Sequence, residues 1–174
     1  KKASRRSKKI MSANCFIKGL FLFCLTCLDI HVYGEDGYRL WLRYDRIADS
    51  NKLREYKESI RSVVVESQSA TGSVIKQELD NALQGLLGEN ILNEKGVRSS
   101  GTILIGTPAS SSLIASLKIE NRLLTLGKEG FLILTTTISG KKCIVISANA
   151  DTGLLYGTFH FIRLLQTNQR IQNL

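Results

Sequence analysis

Apolar positions alternate or cluster along the chain in a way that predicts three separate strands before its last third. Residues 38–44 alternate large apolar and charged side chains, which is typical of a strand with one buried face, and residues 49–51 then predict a loop. Two uninterrupted aliphatic runs, residues 63–65 and 103–105, predict strands that are buried on both faces. Such strands are typical of a sheet sandwiched between helices.

Two longer apolar segments predict an antiparallel pair. Residues 131–138 and 142–147 flank residues 139–141, a short connection that contains a glycine. A glycine-containing link of this length favours a tight hairpin. The sheet as a whole is therefore predicted to be mixed.

Helical periodicity follows the two aliphatic runs. After the first run, a helix is predicted from a cap at Thr71 or Ser73 to a terminating Gly88. Its buried stripe consists of Ile75, Leu79, Leu83 and Leu86. After the second run, Thr107 is predicted to cap a helix that has Pro108 in its first turn. The buried side of that helix consists of Leu113, Ile114 and Leu117.

The last helix is predicted to begin at Asp151, whose carboxylate would accept hydrogen bonds from the free amides of the first turn. Gly157 in its middle favours close packing of the helix backbone. The side chains predicted to point inward are Leu154, Leu155, Phe159, Ile162 and Leu165. The resulting order, β-β-α-β-α-β-β-α without an internal repeat, predicts one α/β domain in which helices pack on a mixed sheet.

Composition and charge agree with one globular domain. The 174 residues are 43% apolar and 22% charged and include one proline, which disfavours wholesale disorder and a polytopic membrane protein. The net charge of +9 would suggest a nucleic-acid partner if it were evenly spread. Residues 1–34 hold seven of the 24 basic and one of the 15 acidic side chains, which leaves 17 and 14 for residues 35–174. No nucleic-acid partner is therefore predicted.

The first 34 residues have the organisation of a signal peptide. A basic segment, residues 1–18, precedes ten uncharged residues, 19–28, which are too few to span a bilayer but match the apolar core of an export signal. Val32 and Gly34 then place small residues at the −3 and −1 positions of a cleavage site. We expect synthesis to start at Met11, cleavage to follow Gly34, and the product to be secreted or periplasmic without a stable membrane anchor.

The positions of the cysteines agree with removal of the signal peptide. Cys15, Cys24 and Cys27 all lie in this leader, residues 1–34. The spacing of the last two therefore predicts neither a redox centre nor a zinc site. Cys143 lies in an apolar strand, where a thiol behaves as a small hydrophobic group. No disulfide framework, metal or other cofactor is expected.

Two short motifs resemble catalytic signatures but lack their context. The Asp-Thr-Gly triplet at residues 151–153 matches aspartic proteases, yet helical periodicity follows it where that fold has strands. The glycines at the ends of residues 101–106 have the spacing of a phosphate loop. Threonine and proline at 107 and 108, however, replace the lysine and hydroxyl residue that would bind phosphate and magnesium. Neither activity is predicted.

Isolated polar residues suggest no catalytic group either. His31 lies in the leader, and His160 is predicted to lie on a helix face, bonded to a neighbouring carbonyl. Asp45 and Asp49 could form an acid–base pair for glycoside hydrolysis, but their loop position favours solvated side chains. Three aromatic residues could stack on sugars, although their alternation along one strand favours a half-buried sheet surface: Tyr38, Trp41 and Tyr44. No catalytic, substrate-binding or metal-binding residue is predicted.

Four longer stretches give a more specific signal: EDGYRLWLRY at residues 35–44, GTILIGTP at 101–108, LGKEGF at 126–131 and DTGLLYGTFHFIRLLQ at 151–166. Together they resemble the N-terminal domain of the α-glucuronidases of glycoside hydrolase family 67. The resemblance extends over nearly all of residues 35–168 in the right order. That domain in turn resembles the small α/β domain that precedes the barrel in β-hexosaminidases, which agrees with the predicted sheet and helices.

The resemblance implies an enzyme that removes glucuronic acid or its 4-O-methyl ether from xylo-oligosaccharides with inversion. In that family the catalytic carboxylates belong to a (β/α)8 barrel that follows this domain, and no motif of that barrel is found in residues 35–174. The implied role is a non-catalytic N-terminal domain whose partner is the barrel of the same polypeptide, with the xylo-oligosaccharide bound by that barrel. The alternative is a stand-alone carbohydrate-binding or scaffold module that uses the aromatic strand.

Overall fold

A five-stranded mixed sheet with helices on both faces forms the part of the chain that the computed structural model describes, residues 43–174. The elements follow one another as α1 Ser50–Ser59, β1 Ser62–Glu66, α2 Ala70–Leu87, β2 Leu92–Asn93, β3 Thr102–Gly106, α3 Ser112–Ala115, α4 Glu120–Leu124, β4 Phe131–Ile138, β5 Lys141–Ala148 and α5 Asp151–Gln166. The predicted α/β fold class is confirmed. The predicted strand at residues 38–44 lies outside the described residues except for Arg43 and Tyr44, which belong to no helix or strand.

The strands are arranged in the order β2-β1-β3-β5-β4. β1 pairs in parallel with β2 and β3, and β3 pairs in parallel with β5. β4 runs antiparallel to β5 over their whole length. The two are joined by Ser139 and Gly140, both of which have positive φ, at 49° and 78°. Two positive φ values define the type I′ turn that suits the twist of a hairpin, so the predicted antiparallel pair is confirmed.

The first face of the sheet, which carries Val63, Ile103 and Ile146, is covered by α1, α2 and α5. Alternate residues of a strand point to opposite faces, so the neighbours of these residues belong to the second face. That second face carries Val64, Leu104 and Val145 and packs against the short helices α3 and α4. The central strands are therefore buried on both sides, as their aliphatic runs predicted.

Helix α5 packs closely on the sheet because two of its positions lack a side chain. A Cβ atom on Gly157 would lie 2.7 Å from Cγ2 of Ile146, and one on Gly153 would lie 2.5 Å from the carbonyl oxygen of Gly130. The predicted close approach at Gly157 is confirmed. Phe161, which was not predicted to point inward, is fully buried, whereas the predicted Leu155 and Phe159 are only half-buried at the margin of the core.

The predicted loop at residues 49–51 is wrong, because α1 begins there. The Asp49 carboxylate accepts hydrogen bonds from the amides of Asn51 and Lys52 and so caps this helix. Helix α2 begins earlier than predicted, with Ser69 as the capping residue, and ends as predicted at Gly88, which has a φ of 72°. Gly88 adopts the left-handed conformation that glycine tolerates best.

One further predicted helix start is wrong, whereas the predicted start of the last helix at Asp151 is confirmed without the predicted cap. The hydroxyl of Thr107 accepts a hydrogen bond from the amide of Ser110 and closes a turn, so α3 begins only at Ser112 with Ser111 as its cap. Asp151 is the first residue of α5, whose N-cap is Ala150 and has no side-chain hydrogen bond. The Asp151 carboxylate instead accepts hydrogen bonds from the Ser67 hydroxyl, at 3.3 Å to each oxygen.

Candidate functional site

The connections after β1 and β3 diverge, which places a topological switch point between these neighbouring strands. The chain leaves β1 through α2 on the first face and returns as β2 on one side of β1. It leaves β3 through α3 and α4 on the second face and enters β4 and β5 on the other side. In open α/β sheets, ligands bind in the crevice that such a reversal leaves outside the carboxyl ends of the strands.

A cleft of about 690 Å³ lies at these strand ends. Its wall consists of the end of β1, the residues at and after β2, one residue of α2 and the turn that follows β3. The lining residues are Val64, Val65, Glu66, Gln68, Lys76, Asn93, Glu94, Lys95 and Ser110. We call this the switch-point cleft. Its volume lies within the range of about 300–1,000 Å³ that is typical of small-molecule sites.

Glu66 is positioned by the sheet. It is the last residue of β1 and lies two positions after Val64, so its side chain shares the second face. Its neighbours across the sheet are Gly106 of β3 and, beyond it, Ser147 of β5. Oε2 of Glu66 is buried and has no hydrogen-bond partner among the described residues, and the same holds for Oγ of Ser147. A Cβ atom on Gly106 would lie 3.2 Å from Oγ of Ser110 and 3.3 Å from Cδ1 of Ile114, so these two side chains pack over Gly106.

Glu94 extends the pairing of β2 by one residue. Its amide donates a hydrogen bond of 2.9 Å to the carbonyl oxygen of Val63, and the register of β1 and β2 places it beside Val64. Oε2 of Glu94 is also buried without a partner within residues 43–174. Just before it, the side-chain amide of Asn93 donates hydrogen bonds of 3.0 and 3.1 Å to the Asp80 carboxylate of α2. This contact fixes the short strand β2 to the helix.

The lining of the cleft combines both kinds of hydrogen-bonding group. The two glutamates supply acceptors with a buried oxygen, whereas Lys76, Lys95 and Gln68 are exposed and supply donors. The formal charges of the two glutamates and the two lysines cancel. Val64 and Val65 add an apolar part to the wall. The arrangement can bind an uncharged molecule that both donates and accepts hydrogen bonds.

The other residues considered in the sequence are dispersed over the fold. The triplet at residues 151–153 opens a helix, and the segment between the glycines of residues 101–106 is strand β3, so neither forms the loop that its motif requires. Asp49 is engaged as a helix cap, while Asp45 is exposed. His160 is exposed, and its contact is with the ring of Phe131, at 5.4 Å between centroids, instead of the predicted carbonyl.

Cys143 is a buried residue of β5, as predicted. Its thiol donates a hydrogen bond of 3.3 Å to the carbonyl oxygen of Lys141, and burial raises the pKa of the thiol. A raised pKa keeps the group in the thiol form, which is a poor nucleophile. Cys143 therefore contributes to packing.

Residues 43–174 contain neither a candidate metal centre nor a helix that could span a membrane. No group of three or more histidine, cysteine, aspartate or glutamate side chains in this part of the chain is placed to hold a metal ion. None of its helices combines the length and the apolar character needed to cross a membrane.

The glutamates of the switch-point cleft were not singled out from the sequence. The one available signal was the position of Glu66 directly after the buried run 63–65, because such a residue must lie at the carboxyl end of a strand. Glu94 follows a strand of two residues, Leu92–Asn93, which is too short to give a pattern. Its place in the cleft depends on how β2 pairs with β1.

The mixed sheet, the two helical layers and the cleft at the strand ends define a small α/β domain. The chain belongs to glycosyl hydrolase family 67, because the model of that family's N-terminus matches residues 40–161. This confirms the resemblance seen in the sequence. The relation to β-hexosaminidases stays a prediction.

Individual proteins give less information about this chain than the family match does. No curated protein matches the chain. Among solved structures, the chain is similar to a family GH115 4-O-methyl-α-glucuronidase with specificity for decorated arabinogalactans, at 20% sequence identity and a TM-score of 0.47. The similarity covers 66% of this chain and 16% of that protein, so the chain spans only a small part of that enzyme's length.

Proposed function

We propose that this domain is the N-terminal accessory domain of an α-glucuronidase and does not itself hydrolyse glycosidic bonds. The observation that supports this proposal is the match of the family 67 N-terminus to residues 40–161. Three aspartates of the domain have structural contacts: Asp49 caps α1, Asp80 binds Asn93 and Asp151 accepts hydrogen bonds from Ser67. These carboxylates stabilise the fold instead of facing a common substrate.

The parent enzyme is proposed to contain a catalytic (β/α)8 barrel in the same polypeptide. Its substrate would be glucuronic acid, or the 4-O-methyl ether, linked to xylo-oligosaccharides. Inversion requires two carboxyl groups about 6.5–9.5 Å apart, so that a water molecule fits between one of them and the sugar. In this proposal the barrel supplies both groups, and the domain described here packs against it.

Export is part of the proposal. The basic segment 1–18, the apolar segment 19–28 and the small residues that precede Glu35 support a secreted or periplasmic enzyme. Sequencing the N-terminus of the protein purified from its native source tests this step. We expect a chain that begins at Glu35, and an intact leader on the mature protein would contradict export by this route.

The catalytic proposal is tested by comparing the 174-residue chain with the product of the complete reading frame. Both are incubated with aldouronic oligosaccharides, and released glucuronic acid is followed by proton NMR, which also identifies the anomer formed first. We expect release by the complete product alone, with the β anomer appearing first. Release by the 174-residue chain, or a reading frame without a barrel, would contradict the proposal.

The cleft glutamates provide an internal control for this assay. If the 174-residue chain released glucuronic acid and the Glu66→Ala or Glu94→Ala variant did not, the domain itself would be the enzyme.

The alternative function, a carbohydrate-binding module, depends on the aromatic side chains of residues 38–44. Tyr44 gives it little support, because its side chain packs against the core and its hydroxyl donates a hydrogen bond to the Glu78 carboxylate.

A further inference from the structure

The switch-point cleft has the features of a binding site, and we propose that it binds a small, uncharged, polyhydroxylated molecule such as a monosaccharide or a sugar alcohol. This inference goes beyond the proposed function, which places substrate in the barrel. It does not depend on that function, because it follows from the topology of the sheet and from the lining of the cleft.

Topology gives the first argument. The connections after β1 and β3 turn to opposite faces of the sheet, so the two strand ends stand at a topological switch point. This is the position at which α/β sheets of many kinds bind small molecules. The cleft of about 690 Å³ occupies it.

Unpartnered acceptors give the second argument. Oε2 of Glu66 and Oε2 of Glu94 are buried and have no hydrogen-bond partner within residues 43–174. The large majority of buried side-chain polar atoms in proteins have such a partner, and leaving one unpaired costs about 1–3 kcal/mol. Because the two oxygens have no contact with solvent, each glutamate must turn its carboxylate into the cleft before a ligand hydroxyl can donate to it, and this exchange would remove the cost.

Charge balance gives the third argument and selects the class of ligand. Lys76 and Lys95 line the same cleft as the two glutamates, so the site has no formal net charge. For a divalent cation the attraction of the carboxylates is offset by repulsion from the ammonium groups, and for a polyanion the two contributions are reversed, so neither is favoured by the net charge. An uncharged polyol donates to the carboxylates, accepts from the lysines, and places its C–H groups against the half-buried Val65.

The 174-residue chain, labelled with ¹⁵N, is titrated separately with glucose, xylose and sorbitol, and amide shifts are followed by NMR. We expect saturable shifts for at least one of these polyols, centred on residues 64–68 and 93–95. Calcium chloride and sodium phosphate serve as ionic probes. Saturable shifts at these amides with an ionic probe alone would overturn the proposal, as would the absence of saturable shifts with every polyol.

Variants test the assigned groups. Glu66→Ala and Glu94→Ala each remove one acceptor. Each is expected to lower the affinity for the polyol by about tenfold or more, because a hydrogen bond to a charged group is lost. Glu129→Ala removes an exposed carboxylate outside the cleft and is expected to bind as the wild type does. Unchanged affinity in both cleft variants would assign the binding to other residues. If a variant does not fold, Glu→Gln at the same position replaces it. The amides that shift in the wild-type protein on addition of the polyol locate the binding site independently of any variant.

Discussion

At the scale of single residues, the aspartates show how one side-chain type takes different roles in similar settings. Asp49 and Asp151 both stand at the start of a helix, but only Asp49 has the extended backbone of a capping residue, with a φ of −71° and a ψ of 107°. Asp151 is already helical, and its carboxylate accepts a hydrogen bond from Ser67, the residue that follows β1. Aspartate suits the start of a helix at both positions, and the place of each residue relative to the sheet determines its partner.

Tyr56 is the described residue for which the structure predicts a clear pH effect. Its side chain is fully buried in α1, and its hydroxyl donates a hydrogen bond of 2.5 Å to the carbonyl oxygen of Gln169. Burial raises the pKa of Tyr56 to about 12, and the carboxylates of Glu55 and Asp49 contribute to the rise. The unfolded chain therefore loses this proton at lower pH than the folded one does.

We expect the free energy of unfolding to include a contribution from Tyr56 that is complete below pH 10 and is lost as the pH rises towards 12. The Tyr56→Phe variant removes the hydroxyl, leaves the Gln169 carbonyl without its donor, and should cost about 1 kcal/mol at pH 8. Urea unfolding of both proteins from pH 8 upwards measures the difference. The two curves should converge above pH 10, and parallel curves would show that this phenol does not titrate as proposed.

At the scale of elements, local sequence determines some helix and strand ends and leaves others to context. The β4–β5 turn is set by Ser139 and Gly140, whose positive φ values form a type I′ hairpin. Helix α2 similarly ends at the left-handed Gly88. By contrast, the segment after β3 contains two helices of four and five residues, α3 and α4, instead of the one predicted helix. Helices this short are not stable alone, so packing on the second face determines their bounds.

The hairpin provides a pair of substitutions with opposite expected signs. A Cβ atom on Gly140 would meet nothing within 4 Å, so the cost of Gly140→Ala is purely conformational and should be about 1 kcal/mol. Ser139→Asn places the residue that type I′ turns favour at a position with a φ of 49°, and should raise stability by a few tenths of a kcal/mol. Thermal unfolding of the two variants measures both effects. A stabilising Gly140→Ala would contradict the assigned turn.

At the scale of the whole described domain, the two faces of the sheet are covered unequally. The first face packs against the long helices α2 and α5, of 18 and 16 residues, which include the fully buried Leu79 and Phe161. The second face is covered by α3, α4 and their connections, and Leu124 in this layer is 74% exposed. The stability of the layers is therefore expected to differ.

Native-state hydrogen exchange tests this difference. Amides of Val64 and Val145, which lie in central strands paired on both sides, should exchange only through global unfolding. Amides of residues 112–124 should exchange at a much lower free energy of opening, because few intrahelical hydrogen bonds hold α3 and α4. The middle of α2 serves as the protected helical control. Equal protection in all three regions would show that the domain opens only as one unit.

The sequence by itself determined the features that depend on neighbouring residues: the strands at 63–65 and 103–105, the hairpin, the terminating Gly88 and the fold class. Each depends on local backbone preference or on the period of apolar side chains. It also contained the family resemblance, which the match to residues 40–161 confirmed. Helix α1 was missed because its buried residues are few, with only Tyr56 fully enclosed.

Tertiary structure alone decided the switch-point cleft. Glu66 and Glu94 are 28 positions apart in the chain, and no local pattern relates them. They line the same cleft because β2, a strand of two residues, pairs in parallel with β1, while the chain after β3 turns to the other face of the sheet. Strand order and register are set by the packing of the whole sheet, so a site formed between strand ends is visible only once the strands are assembled.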